Sequence, residues 1–312
     1  MKRVALLVTL LSVGSVSVAI KGSQQAPPVQ PSAKALEAEK LKDNLWVLKG
    51  AGSGGNTAVF VTAKGVVVVD TKNPGWGQPI IEKIRELTDK PITTIINTHT
   101  HGDHVSGNVE FTPPVEVIVQ NNTKANMAKM SAPSGFAPSK ETQTIFEKNN
   151  GRGLPTKTFK DKMTIGSGPD RVELRYFGRG HTNGDAWVIF PALRVMHAGD
   201  IFSGKNVPLL DAINGGSGVE IPKTLMKAAD YASKTVDTII TGHSSQMTVA
   251  DLREYSNFNQ EFVAAVQAAK KAGTSVDDLA ASWKIPEKYV GYTAPQPVRL
   301  KSNIEVVMAE LK

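Results

Sequence analysis

Short apolar runs alternating with amphipathic stretches predict a mixed α/β sandwich for this chain. Three observations carry that expectation. Runs rich in β-branched residues recur between Gly, Pro, Asn and Asp, the composition of buried strands between turns. Residues 57–62 and 66–70 are joined by Ala63-Lys64-Gly65, as in a hairpin, which excludes a purely parallel sheet. Ile80, Ile81, Ile84 and Leu87 fall on one face of a helix over residues 78–88.

Regular structure should begin near residues 41–48. After the hairpin and the first helix, Pro91 punctuates the chain and residues 92–97 read as a buried strand. Further strands are expected at 115–119, 172–177, 186–190, 193–197 and 238–241. The polar stretch 121–154 should hold a helix near 123–130 and then a long loop, either a lid or an insertion. Thr248-Val249-Ala250-Asp251 is a variant capping box opening a helix that runs to about residue 272. Its Leu252, Tyr255, Phe258, Phe262 and Val266 form one core-facing stripe. Ser275 starts a short helix, and residues 304–311 form the last; no tandem repeat is evident.

With 312 residues, 40% hydrophobic and 21% charged, the chain can bury a sizeable core. The net charge is +7, but Lys and Arg are scattered among Asp and Glu without a long like-charged run. That pattern is a solvated surface with mild attraction for anions, and no nucleic-acid partner is expected. The absence of cysteine excludes disulfides, thiolate nucleophiles and Cys-ligated zinc.

Lys2-Arg3, an apolar stretch to Ile20 and the small residues Ser17-Val18-Ala19 describe a secretory signal peptide over residues 1–20. The stretch is too short and too diluted by Gly and Ser for a retained anchor. A Pro- and Gln-rich linker follows over 21–40, and the domain occupies 41–312. The expected location is periplasmic or secreted, with no membrane association once the signal is removed.

Six histidines locate the chemistry. Three lie in His99-Thr100-His101-Gly102-Asp103-His104, just after the strand 92–97. Side chains two apart on extended backbone point the same way, so His99 and His101 can grip one ion. A bend at Gly102 can then offer Asp103 and His104 to a second. Imidazoles and carboxylates are ligands that zinc accepts. His181, Asp200 and His243 each follow a glycine near a strand end, where the backbone can turn sharply. His197 lies on the strand leading to Asp200 and is expected to pack or to make a supporting hydrogen bond, not to bind metal. The glycine-rich 52–56 lacks the Gly-Lys-Ser/Thr ending of a phosphate loop and reads as a flexible hairpin connection beside the site. Ser244 and Ser245 have no base to activate them as nucleophiles.

His-x-His-x-Asp-His, Gly-x-Gly-His-Thr, Gly-Asp and Gly-His, in that order over residues 45–245, resemble the metallo-β-lactamase superfamily. The resemblance implies a four-layer αβ/βα sandwich of two mixed β-sheets flanked by helices. It implies two divalent metal ions, zinc first, with iron or manganese as alternatives. His99, His101 and His181 would surround one ion, and Asp103, His104 and His243 the other. Asp200 would bridge them, with a water or hydroxide as the second bridge, and Asp70 would brace the ligand loop. Asp103 would be the catalytic residue, orienting the hydroxide and passing a proton to the leaving group.

True metallo-β-lactamases generally carry Cys or Ser where this chain has Asp200; the aspartate resembles the glyoxalase II, lactonase and phosphodiesterase branches. Export fits poorly with the cytosolic glutathione thioester of glyoxalase II. The expectation is therefore a hydrolase of a small-molecule ester, lactone or amide, with weak β-lactam hydrolysis admitted. Phosphodiester hydrolysis is the alternative on the same site; a single-iron oxidative enzyme and a metal-binding protein without turnover rank lower. Residues 121–154 and 202–218 are candidates to wall the cavity, with Phe202, Asn206 and Leu209 lining it.

Overall fold

The computed structural model describes residues 34–138 and 140–311. The expected signal peptide and most of the linker lie outside the described residues. Among the described residues, no helix is long and apolar enough to cross a membrane.

The first sheet has seven strands in chain order: β1 (Glu37–Lys42), β2 (Leu45–Lys49), β3 (Thr57–Val61), β4 (Val66–Val69), β5 (Ile92–Ile96), β6 (Glu116–Gln120) and β7 (Lys157–Phe159). Pairing is antiparallel from β1 to β4 and parallel from β4 to β7. The second sheet holds β8 (Lys162–Ile165), β9 (Val172–Arg175), β10 (Trp187–Phe190), β11 (Val195–Gly199) and β12 (Thr238–Thr241). Only β11 and β12 pair in parallel there. The helices are α1 (Gly77–Leu87), α2 (Gly102–Val105), α3 (Asn121–Met127), α4 (Ile145–Lys148), α5 (Ile221–Ala232), α6 (Val249–Lys271), α7 (Val276–Ser282) and α8 (Pro297–Glu310).

The side-chain period of two on a strand builds the layers. β4 is four valines, all buried. Val67 and Val69 face the second sheet, packing with Phe60, Ile96 and Ile118 against Leu174, Val188, Phe190 and Ile240. Val66 and Val68 face the other way, with Val59 and Ile95, onto Ile80 and Ile84 of α1. Beyond the second sheet, Trp187, Ile189, Met196 and Ile239 pack with Leu225 of α5, Phe258 and Phe262 of α6 and Ile304 of α8. The expected four layers, helix–sheet–sheet–helix, are therefore present.

Some boundaries differ from expectation, each for a local reason. Among the described residues, regular structure begins at Glu37, inside the expected linker, because β1 is an edge strand whose exposed Glu and Lys hide its period. Lys49 of β2 ties it down through Glu39 at 2.7 Å. β7 and β8 are short and mostly polar, so they left no apolar signal. α5 was not anticipated: its core-facing Ala228, Ala229 and Ala232 make a weak stripe in sequence yet let the helix lie close. α8 starts at Pro297, which suits a first helical turn, rather than at residue 304. The capping box is present, with Asp251 N donating to Thr248 Oγ1 at 3.2 Å and Thr248 N to Asp251 Oδ2 at 2.9 Å.

Phe60 and Phe190 meet edge to face at 5.0 Å between the sheets. Phe60→Ala should lower unfolding free energy by about 3–5 kcal/mol, read as a drop in the urea midpoint at unchanged slope. A change under about 1 kcal/mol would mean that this junction does not carry the sandwich.

Candidate metal centre

The chemistry-bearing residues sit where strands of both sheets end. Asp70 follows β4, and residues 97–101 follow β5 and lead into the single turn of α2 with Asp103 and His104. From the second sheet, His181 lies between β9 and β10, Asp200 follows β11, and His243 follows β12. All seven expected ligands come together in two groups. His99, His101, His181 and Asp200 form one, all buried or nearly so; Asp103, His104 and His243 form the other. Within each group the candidate ligand atoms lie within 4.8 Å of one another. Asp200 stands between them, with Oδ1 3.2 Å from His104 Nε2 and Oδ2 3.1 Å from His243 Nε2 and 3.9 Å from His181 Nε2.

The hydrogen bonds on the far side of each ring fix which nitrogen faces inward. A carboxylate or carbonyl can only accept, so the nitrogen beside it carries the proton. His104 Nδ1 donates to Asp70 Oδ2 at 2.7 Å. His101 Nε2 donates to Asp211 Oδ2, and His181 Nδ1 to the Leu209 carbonyl, both at 2.7 Å. Thr98 Oγ1 gives its one proton to Asp70 Oδ2, so it accepts from His99 Nδ1 at 3.0 Å. The inward atoms of three rings are then bare lone pairs, His99 Nε2, His101 Nδ1 and His181 Nε2, while His104 turns Nε2 toward Asp200 Oδ1 at 3.2 Å.

Two of these, His101 Nδ1 and His181 Nε2, face each other at 3.0 Å. His99 Nε2 is buried with no hydrogen-bond partner. Each acceptor left this way costs about 1–3 kcal/mol, which one cation among them would remove. Charge divides the two groups. Burial holds His99 well below the usual imidazole range, and burial with His101 nearby pushes His181 down to about 4, so both stay neutral. The Asp200 carboxylate lifts His243 to about 9, and Asp200, Asp103 and Asp70 outweigh burial to raise His104. His104 and His243 thus draw protons from the carboxylates around them while His99 and His181 stay neutral, and imidazoles and carboxylates gathered in this way fit divalent cations, which would displace those protons.

The site opens into a cavity of about 530 Å³ lined by His101, Asp103, His181, Asp200 and His243. Residues 50–243 match the family described as the metallo-beta-lactamase superfamily. This chain belongs to that superfamily. A type 2 metallo-beta-lactamase of Elizabethkingia meningoseptica is 30% identical over 179 residues, 53% of this chain. The aligned part spans only 62% of that relative's length. Metallo-beta-lactamase IND-1 of Chryseobacterium indologenes is 26% identical over 214 residues, 65% of this chain and 80% of its own. Among solved structures, a metallo-beta-lactamase from Pontibacter korlensis superposes with a TM-score of 0.58 at 18% identity, covering 72% of this chain and 99% of its own. The inverting sec-alkylsulfatase Pisa1 from Pseudomonas sp. gives 0.68 at 12% identity, covering 86% of this chain and 50% of its own. Both superpositions speak to the fold of this superfamily member.

Several expectations for this metallo-beta-lactamase-fold chain change in detail. The loop 52–56 joins β2 to β3 beside the site, but its backbone is tied down rather than free. Gly55 N donates to Asp103 O at 3.1 Å, Asn56 N to Gly242 O at 2.7 Å, and Lys72 Nζ to Gly55 O at 2.6 Å. A Cβ on Gly55 would fall 2.1 Å from His104 Cε1. Of the glycines before His181, Asp200 and His243, only Gly199 has a positive φ, 58°. Gly242 is needed for room, since a Cβ there would meet Asp200 Oδ1 at 1.9 Å. Asn206 and Leu209 line the cavity, whereas Phe202 is buried in the core against Tyr255, with ring centroids 5.0 Å apart. His197 lies outside both groups: its Nε2 donates to Asn56 O at 3.2 Å, and burial holds it at about 4.

Sequence reasoning missed Asp211, Lys72 and Arg299, none of which stands in a recognisable pattern. Asp211 is fully buried, and besides His101 it accepts from Ser134 N at 3.0 Å and from Asn214. Asp211→Ala should weaken metal binding at the three-histidine group by about 10–100-fold in a chelator competition. Gly55→Ala should instead weaken binding at the Asp103–His104–His243 group, by pushing the His104 ring aside. Unchanged affinities in both variants would show that neither contact positions a ligand.

Proposed function

We propose that this chain is an exported metal-dependent hydrolase that holds two zinc ions in the two ligand groups and cleaves an ester, lactone or amide, β-lactams included. The opposed lone pairs of His101 and His181, beside the unpartnered His99 Nε2, carry this proposal. Export rests on the charged and apolar start of the sequence.

Bound between these groups, two divalent ions would supply Lewis acidity, acidifying a water and polarising a scissile carbonyl. The chain's own residues do the rest. Asp70, Asp211 and the Leu209 carbonyl hold three imidazoles in fixed orientations, so no ring has to turn; His104 gives up a proton as metal binds. Asp103 is about one third exposed, lines the cavity and reaches His243 Nε2 with Oδ2 at 3.2 Å. His104 and His243 keep its carboxyl at about 2, against burial, so it stands ionised and can accept a hydrogen bond from water. From there Oδ2 can take a proton from water and return it to a leaving group in the cavity. Buried His99, His101 and His181 cannot do so, because their outer nitrogens are committed to Thr98, Asp211 and Leu209.

The family likeness to β-lactamases puts β-lactams on the substrate panel; Asp200 and the resemblance to lactonase-type members put esters and lactones beside them. Zinc-loaded protein should turn over at least one member of an ester, lactone and β-lactam panel. Chelation should abolish that activity and added zinc restore it. Asp103→Asn should lower kcat by at least about 100-fold. No turnover across the panel by fully zinc-loaded protein would end this proposal.

A further inference from the structure

The mouth of the cavity has a chemistry that the metal ligands do not explain. The large exposed hydrophobic side chains among the described residues are Phe136, Ile213, Val290 and Val298. Three of them converge. Ile213 N donates to Ser134 Oγ at 3.2 Å, joining the loop after α3 to the loop after β11. A Cβ on Gly135 would lie 3.0 Å from Ser302 Cβ and 3.9 Å from the Val298 carbonyl oxygen, so the same loop rests on the first turns of α8. Phe136, Ile213 and Val298, each more than half exposed, thus lie on adjoining segments, and of the three Phe136 lines the metal cavity itself. Exposed apolar side chains gathered at one place mark a binding surface.

Arg299, next to Val298, also lines the cavity. It is half-buried and has no ion pair or hydrogen bond to any described residue. Lys205 and Arg179, by contrast, are matched: Lys205 lies 2.9 Å from Asp251 and 3.0 Å from Glu254, and Arg179 lies 2.9 Å from Glu220. A guanidinium left free beside an apolar rim is built for an oxyanion, which it can bind with two parallel hydrogen bonds.

We propose that the cavity takes a substrate whose unreacting part is an apolar body carrying an oxyanion head group, with the body against Phe136, Ile213 and Val298 and the head group on Arg299. This rests on the hydrolytic reading of the metal site, and it assigns these four residues to specificity. The attraction of a net charge of +7 for anions acts in the same direction.

Binding of non-hydrolysable probes to the zinc-loaded full chain tests it by calorimetry. Octanoate and octanesulfonate represent carboxylate and sulfate head groups. Acetate and methanesulfonate lack the body, and octyltrimethylammonium reverses the charge. At least one octyl anion should bind about tenfold or more tighter than its one- or two-carbon counterpart and than the octyl cation. Arg299→Gln should weaken that anion about tenfold, and Phe136→Ser about fivefold. Equal binding of long and short anions, tight binding of the octyl cation, or no effect of either variant would overturn it. So would a dimer in sedimentation that Phe136→Ser dissociates without weakening the octyl anion, since the rim would then be covered by a second copy. Because the probes are not hydrolysed, the two readings fail separately. Binding without turnover of any ester retires only the hydrolytic reading, and turnover without these binding differences retires only the rim.

Discussion

Asp70 sits at the end of β4, fully buried, in a left-handed backbone conformation with φ of 61°. It accepts from Thr98 N at 2.8 Å, from Thr98 Oγ1 at 2.7 Å and from His104 Nδ1 at 2.7 Å. Through these bonds one carboxylate sets the tautomer of His104 directly and that of His99 through the Thr98 hydroxyl. It also fixes the path of the chain as it leaves β5. A buried carboxylate is costly unless its oxygens are matched, so this one tolerates little displacement of the ligand loop. The sandwich supplies the other requirement. Its two sheets share one core, and that core holds the ends of β11 and β12 opposite the ends of β4 and β5.

Asp211 does for the second half of the site what Asp70 does for the first. It holds His101 while gathering Ser134 and Asn214, so the loop that carries Phe136 to the cavity mouth is joined to a ligand by one buried carboxylate. Ligand geometry and cavity wall are therefore coupled. Movement of the 131–136 loop would be felt at His101 through a hydrogen bond of 2.7 Å.

The fold was legible where a single face is buried. The Ile80–Ile84 stripe of α1, the valines of β4 and the capping box at Thr248 each announce themselves at short range. What escaped was set by long-range packing. β1 reads as polar linker because it is an edge, and α5 carries alanines where larger residues would have signalled a helix. The seven candidate ligands were legible because imidazoles and carboxylates near strand ends are conspicuous in a chain with only six histidines. Their partners were not. Asp211 stands 110 residues from the ring that it holds, and Lys72 fixes the Gly55 carbonyl 17 residues away. Arg299 reaches the cavity only because α8 folds back onto its rim. Phe202, a candidate to line the cavity from the 202–218 loop, packs instead in the aromatic core against Tyr255.

The outer hydrogen bonds turn these side chains into two groups of candidate ligands, and the proposal of two cations follows from that arrangement. Metal content per chain, measured on protein purified without chelator for wild type and His104→Ala, tests it most directly. About two equivalents are expected in the wild type and about one in the variant, since His104 belongs to the Asp103 group. About one equivalent in both proteins would contradict it and leave a single-metal centre built on His99, His101 and His181.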